Sequence, residues 1–302
     1  MKVTWLEDFL ALVDTGTFSR AASLRNVTQP AFSRRIQMFE DWLGVELVNR
    51  RAHRLELTDT AARFEPALRG LVNEVYEVRS RMRADAVAEH RVGLTTQHTL
   101  MVSHLPRLLR QLRDRHEGTA FRVRTGNLED CILQLSRGEA DMLMCFELEG
   151  EPLSGYTAGK MERIPVGMEQ LIPVAARDPS GRPSFDPVES RTIRLLSYPE
   201  ESFLGRVVRN QCLAELVRDH TVETVCESAF TMGIKEMTLS GLGIAWLPYH
   251  LIEREIQDGS LVALHESLHT PRLNICLYAS TGEHDPRFDD MWAALKAESP
   301  AL

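Results

Sequence analysis

Thr17-Phe18-Ser19-Arg20-Ala21-Ala22-Ser23-Leu24-Arg25-Asn26-Val27-Thr28-Gln29-Pro30-Ala31-Phe32-Ser33-Arg34-Arg35-Ile36-Gln37-Met38-Phe39-Glu40-Asp41 reads as two short helices joined by a tight turn. Thr28 suits an N-cap, and Pro30 falls in the first turn, where its missing N–H costs no intrahelical bond. Phe32, Ile36, Phe39 and Leu43 recur at intervals of four, three and four. At about 100° per residue they form one apolar stripe. Gln29, Pro30, Ser33, Arg34 and Gln37 are left on the opposite face. Amide, hydroxyl and guanidinium groups at that spacing suit base edges in a major groove, Gln favouring adenine and Arg guanine. The same face is also compatible with an ordinary solvated helix surface. The preceding segment tips the balance: Ala21, Ala22 and Leu24 permit a close helix crossing, and Asn26 is a natural turn residue.

Outward from this stretch, Leu6, Phe9, Leu10 and Val13 give a supporting first helix ended by Gly16, with Thr17 or Ser19 capping the next. Val45 to Leu57 alternates apolar and polar residues at both ends and carries Arg50, Arg51 and Arg54 in its middle. This pattern predicts a hairpin, or wing, whose arginines grip phosphate or enter a minor groove. From Thr58 to about Ala88 the pattern is helical, capped by Thr58 or Asp59. Phe64, Leu68, Leu71, Val75, Val78 and Met82 form a heptad seam through which two chains could pair, or one face of an intramolecular bundle. Pro66 should bend this helix near its start.

The series Ala21-Ala22-x-Leu24-x-x-Val27-Thr28-Gln29-Pro30-Ala31-x-Ser33-x-x-Ile36-x-x-Phe39-Glu40-x-x-Leu43-Gly44-Val45-x-Leu47-x-x-Arg50 resembles the amino-terminal signature of LysR-type transcriptional regulators. Two positions depart from it: Val48 where the family usually has Phe, and Ala61 where it usually has Gly. Both are packing or turn positions. The resemblance implies a winged helix-turn-helix over 1–58, a linker and dimerisation helix over 59–89, and a two-lobed α/β effector domain of periplasmic-binding-protein type over 90–302. Lobe I would take about 90–165 and 269–302, and lobe II about 166–268. Partners implied are double-stranded promoter DNA, a small-molecule effector and further copies of the chain, as a dimer through the linker helix and then a tetramer.

Composition agrees with a regulator. The 302 residues exceed one DNA-binding module, and 43% hydrophobic with 26% charged residues is ordinary globular composition. No eighteen-residue apolar stretch or signal-peptide pattern is present, so a cytoplasmic protein is expected, with no membrane partner. The net charge of −8 hides an uneven distribution. Residues 20 to 54 hold seven basic groups against three acidic ones, so a local positive face is available to phosphates. The five cysteines, Cys131, Cys145, Cys212, Cys226 and Cys276, show no CxxC spacing, which argues against a disulfide framework or zinc site.

Beyond His90 strands and helices alternate. Strands are expected at Arg91–Thr95, Phe121–Thr125, Ala140–Phe146, Glu169–Ala176, Thr192–Leu196, Val222–Cys226 and Asn274–Ser280. Thr96 to Pro106 reads as a polar loop running into a helix. Two lobes joined by crossing strands leave a cleft. By position in the resembled fold, Thr95, Thr96, His98, Thr99, Asn127 and Phe146 would line one wall, and Ser202, Phe203, Ser228 and Phe230 the other. Gly241-Leu-Gly243 lacks the third glycine and downstream acid of a dinucleotide fingerprint, and reads as the turn closing the second lobe. No GxSxG, HExxH or Walker loop occurs, so an enzyme is the weakest reading. His98 and His104, six apart and without a cysteine at ligand spacing, suggest no metal site, and no cofactor is expected. An oxidant acting on Cys or Met is the alternative to a bound effector. A periplasmic-type solute binder is a third reading, opposed by the first ninety residues.

Overall fold

A computed structural model describes residues 2–49, 55–86, 91–151, 153, 161–185, 190–264, 268–282 and 284–298. Arg50, Arg51 and Arg54 lie outside the described residues. The chain divides into two compact units, Met1–Met82 and Arg83–Leu302.

The first unit contains α1 (Val3–Thr15), α2 (Phe18–Leu24), α3 (Gln29–Leu43) and most of α4 (Asp59–Ala86). Leu6, Phe9 and Leu12 of α1, Ala21 and Ala22 of α2, and Phe32, Ile36 and Phe39 of α3 are buried together. The two alanines let α2 cross its neighbours closely, as their size requires. Val48 and Ala61, the two departures from the signature, are both buried in this core. Thr17 caps α2 by accepting from the Arg20 amide, and Thr58 caps α4 by accepting from the Ala61 amide. Thr28 sits at the N-cap of α3 but its side chain accepts no hydrogen bond; Pro30 sits in the first turn as expected. Asn26 takes the left-handed conformation that ends α2, with φ of 53°.

A buried ionic network ties the four helices. Asp8 on α1 is fully buried and accepts from Arg25 Nε at 2.7 Å and from Arg35 on α3 at 3.4 Å. Arg25 also pairs with Glu7 at 2.7 Å, and Glu7 accepts from the Tyr76 hydroxyl on α4. Burial alone would lower the Arg25 pKa, but the carboxylates of Asp8 and Glu7 raise it above its ordinary value.

α4 has two faces. Val72 and, in part, Leu68 and Tyr76 pack on the helix-turn-helix core, so Leu68 leaves the seam that spacing assigned it. Phe64, Leu71, Val75, Val78 and Met82 are exposed, Met82 most of all at 69%. Pro66 is contained within the helix.

The second unit is an α/β structure around a seven-stranded sheet in the order β2-β1-β3-β9-β4-β7, with β8 also on β4. The strands are β1 (Arg91–Gln97), β2 (Ala120–Gly126), β3 (Met142–Leu148), β4 (Met161–Ala176), β7 (Ala245–Pro248), β8 (Leu261–Ala263) and β9 (Arg272–Ser280). β1 runs parallel to β2 and β3, whereas β9 is antiparallel to both β3 and β4. A parallel pair, β5 (Thr192–Ser197) and β6 (Thr221–Glu227), joins through a bridge from Leu195 to Ile244. Gly243 permits that approach, since a Cβ there would stand 2.5 Å from the Arg194 carbonyl oxygen. The GxG therefore serves sheet packing.

Most strand boundaries shift by one or two residues, and two of the differences bear on the site. β4 begins at Met161, eight residues earlier than Glu169, because a bulge between Pro165 and Gly167 carries the strand past residues that normally break one. Its first half pairs with β9 and its second with β7 and β8, so one strand belongs to both halves of the unit. β1 continues to Gln97, and α5 (His98–Ser103) starts directly after it, so Thr96, like Thr95, is a strand residue and not part of a loop. No helix among the described residues is long and apolar enough to cross a membrane.

Replacing Asp8 by Ala leaves the Arg25 guanidinium buried without its main partner. We expect a loss of about 3–5 kcal/mol from the amino-terminal unit, read as an earlier transition in chemical denaturation. A change below about 1 kcal/mol would mean that the network contributes nothing beyond a surface pair.

Candidate functional site

α3 presents the face that spacing assigned. Gln29, Pro30, Arg34 and Gln37 are exposed and Ser33 is half-buried, opposite the stripe of Phe32, Ile36 and Phe39. Arg34 has room to reach a ligand, whereas Arg25 and Arg35 are committed to carboxylates inside the unit. Glu40, buried at the far end of α3, was not singled out by sequence reasoning as a site residue. Its carboxylate accepts from the amides of Leu47 at 2.9 Å and Val48 at 3.3 Å. It thereby pins the base of the predicted wing to the predicted reading helix. The wing itself closes through a bridge between Val48 and Leu57, with Asn49 donating to the Glu56 carbonyl at 2.9 Å.

The second unit holds a small cleft, partly open to solvent, into which several helix starts converge. These belong to α5, to α7 (Leu128–Ser136), to α8 (Phe203–Val207) and to α10 (Thr231–Leu239). First-turn N–H groups lack intrahelical partners, so their convergence favours a small anion or carbonyl-bearing molecule. Of the residues named from sequence, His98, Thr99, Asn127, Ser202 and Phe203 line this space. Ser202 also caps α8, accepting from the Gly205 amide at 3.0 Å and donating to the Pro199 carbonyl at 2.8 Å.

The other five lie elsewhere. Thr95 is buried under the sheet and donates to Gln134 at 2.8 Å, while Thr96 donates to the Met144 carbonyl at 2.9 Å. Phe146 is fully buried behind Phe203, their rings stacked with centroids 6.4 Å apart. Ser228 turns back on its own chain, accepting from the Phe230 amide, and Phe230 is 59% exposed outside the lining. Thr96 was expected in the loop, but the strand runs two residues past Thr95 and carries both threonines.

The sequence also missed Gln97, Tyr198 and Thr231. Gln97 accepts from the Phe146 amide at 2.7 Å, and the Tyr198 hydroxyl donates to the Trp246 carbonyl at 2.9 Å. Burial raises the Tyr198 pKa well above that of a free phenol, so the hydroxyl stays a donor. Thr99 and Thr231 share a buried hydrogen bond of 2.7 Å between their hydroxyls, 132 residues apart in sequence. That bond joins the two walls at the floor of the cleft. No single-sequence pattern relates two threonines at that separation.

The thiols have a different character. The register of β3 and β9 sets Cys145 opposite Cys276, and all five cysteines are free, with only Cys226 partly accessible. Burial pushes the Cys212 thiol up to about 12 and raises those of Cys131, Cys145 and Cys276 as well. These four are poor thiolates and poor nucleophiles.

Comparison with known proteins matches residues 3–62 to the model of the bacterial regulatory helix-turn-helix proteins of the lysR family, and residues 86–300 to that of the LysR substrate binding domain. The HTH-type transcriptional regulator YjiE of Escherichia coli is 28% identical over 297 residues, covering 98% of this chain and 94% of YjiE. The full-length structure of HypT from Salmonella typhimurium, a hypochlorite-specific LysR-type regulator, aligns with a TM-score of 0.60 at 27% identity over 100% of this chain and 99% of that one. Vibrio fischeri DarR, solved in complex with DNA, aligns with a TM-score of 0.57 at 27% identity, covering 98% of both chains.

The hydroxyl pair is testable by a double-mutant cycle. Thr99→Val and Thr231→Val each strand one buried hydroxyl, and each should cost about 1–3 kcal/mol. The double variant should lose less than the sum, because it removes both partners together. Additive losses in urea denaturation would show that the two hydroxyls are not coupled.

Proposed function

Because the chain belongs to the LysR family of bacterial regulators and is a DNA-binding transcriptional regulator rather than an enzyme, we propose that it acts in the cytoplasm as a homodimer whose paired α3 helices read two half-sites of promoter DNA, gated by a small molecule in the cleft of the second unit. The observation that carries this reading is the division of α3 between a buried apolar stripe and an exposed Gln29, Pro30, Ser33, Arg34 and Gln37 face. Arg50, Arg51 and Arg54 are assigned phosphate or minor-groove contacts from their sequence pattern. Likeness to DarR, a relative solved on DNA, supports the same assignment.

Pairing through α4 is supported by the exposed apolar run Phe64, Leu71, Val75, Val78 and Met82. A contiguous apolar strip on an otherwise polar helix favours a partner helix, and two copies of the same strip satisfy each other. Two such dimers forming a tetramer follow the family pattern. Effector binding couples to DNA because a ligand that prefers one arrangement of the two cleft walls shifts the population toward it. Thr99, Asn127, Ser202, Phe203, Tyr198 and Thr231 are the residues proposed to meet it, with His98 at the rim. The mixture of hydroxyls, an amide and one aromatic face suits a small polar molecule bearing a carboxylate or carbonyl.

Oxidant sensing is the second reading, favoured by likeness to the hypochlorite-specific HypT. The four buried thiols offer little thiolate to an oxidant. In the second unit the exposed methionines among the described residues, Met101 at 39% and Met168 at 59%, are accessible sulfur, beside the partly accessible Cys226.

Arg34→Ala should cost about 1–3 kcal/mol on the target duplex and little on random DNA, measured by fluorescence anisotropy at fixed salt. Arg50→Ala and Arg54→Ala should weaken both duplexes alike and lower the salt slope by about one each. Equal losses on both duplexes from Arg34→Ala would count against base reading. A thermal-shift screen of the intact protein against small carboxylates and aromatics should find a ligand that adds about 2.7 kcal/mol at 100 times its Kd. Reversal on dilution identifies a bound effector, whereas reversal by reductant alone identifies oxidation.

A further inference from the structure

His104, Glu169 and His250 are separated by 65 and 81 residues in sequence, yet their nitrogen and carboxylate ligand atoms all lie within 4.8 Å of one another. His104 sits between α5 and α6 (Leu105–Arg115), Glu169 on β4, and His250 in the first turn of α11 (Tyr249–Gln257). We propose that these three side chains form a binding site for a divalent first-row transition-metal ion of the zinc class, distinct from the effector cleft.

The carboxylate carries the argument. Glu169 is 2% exposed, and its two oxygens are treated unequally. Oε1 accepts from the Gln170 amide at 2.8 Å and lies 3.1 Å from His250 Nδ1. Oε2 is buried without a hydrogen-bond partner; His104 Nδ1 stands 3.8 Å away and itself lies 2.9 Å from Ser103 Oγ, a contact that an ion would replace. A buried carboxylate oxygen with no donor is costly, and a cation at that point would satisfy it. The imidazole rings of His104 and His250 flank the same point, their centroids 4.5 Å apart.

The donor set selects the ion. Two imidazoles and one carboxylate suit zinc and its neighbours, whereas magnesium and calcium require mostly oxygen. Ligand bonds of about 2.0–2.2 Å put tetrahedral neighbours roughly 3.3 Å apart. His250 Nδ1 stands 3.1 Å from Oε1 and His104 Nδ1 3.8 Å from Oε2, and with one ligand atom from each residue within 4.8 Å of the others, side-chain rotation closes the set around an ion. His250 keeps 42% of its side chain exposed, which leaves an entry path and room for water in the remaining position. Binding through Nδ1 requires a neutral imidazole with its proton on Nε2, so a neutral His250 changes tautomer and a protonated one releases its proton to solvent.

The location gives the site a consequence. His104 directly follows α5, whose Thr99 lies in the cleft wall, and His250 belongs to the half closed by β7 and β8, with Glu169 on the strand shared by both halves. An ion held by all three fastens one half to the other behind the cleft.

The test uses the intact protein, stripped with chelator and titrated with Zn²⁺ in a calorimeter and with Co²⁺ in a spectrophotometer. One ion per chain is expected, with visible cobalt bands and no competition from excess Mg²⁺. His104→Ala, Glu169→Gln and His250→Ala should each weaken Zn²⁺ by more than about tenfold, the loss that even an outer-shell partner can cause. Circular dichroism checks that each variant is folded. His250→Ala, at a half-exposed side chain, is the variant safest for folding. Zn²⁺ affinity unchanged in folded His250→Ala, or no binding by the native protein, overturns the proposal.

Discussion

The second unit is constrained by one strand that belongs to two halves. β4 hydrogen-bonds to β9 along its first part and to β7 and β8 along its second. The cleft can therefore open only by flexing the crossing region, because breaking either ladder would expose paired backbone groups. Everything at the cleft inherits this limit. The Thr99 and Thr231 hydroxyls meet because the crossing strands hold the helix starts of both halves at one depth. The Glu169 carboxylate lies on that same strand, so its neighbours on either side report on the relative position of the halves.

The first unit obeys a different constraint, which is electrostatic. Asp8 is fully buried, and a carboxylate there is tolerable only with Arg25 and Arg35 on it. Arg25 is thereby held inside the unit, and Arg35, on α3 and 35% exposed, leans on the same carboxylate, so Arg34 is the exposed arginine of α3. The local excess of basic groups in residues 20 to 54 overstates what the surface offers, because part of it is spent inside.

Helices and their faces were legible in the sequence because their period is local. Phe32, Ile36 and Phe39 are buried as their spacing required, and Gln29, Arg34 and Gln37 are exposed. The seam of α4 was mostly legible, and Leu68 failed because two faces of one helix compete for it. The cleft was half legible. His98, Thr99, Asn127, Ser202 and Phe203 sit at helix starts, which carry recognisable turn chemistry, whereas Thr231 and Tyr198 matter only through partners far along the chain. Thr96 was misread as loop because threonine is common both in loops and in buried strands. Glu169 with its histidines has no local pattern at all, since its three members come from three elements.

Glu40 joins the end of α3 to the backbone of Leu47 and Val48. On the proposed DNA-binding reading, α3 and the root of the wing then move as one lever arm. Such a body cannot adjust to a stretched or compressed half-site by bending within itself. Variation in the spacing of operator half-sites must be absorbed between subunits, or by the DNA, whose local stiffness then becomes part of what the protein discriminates.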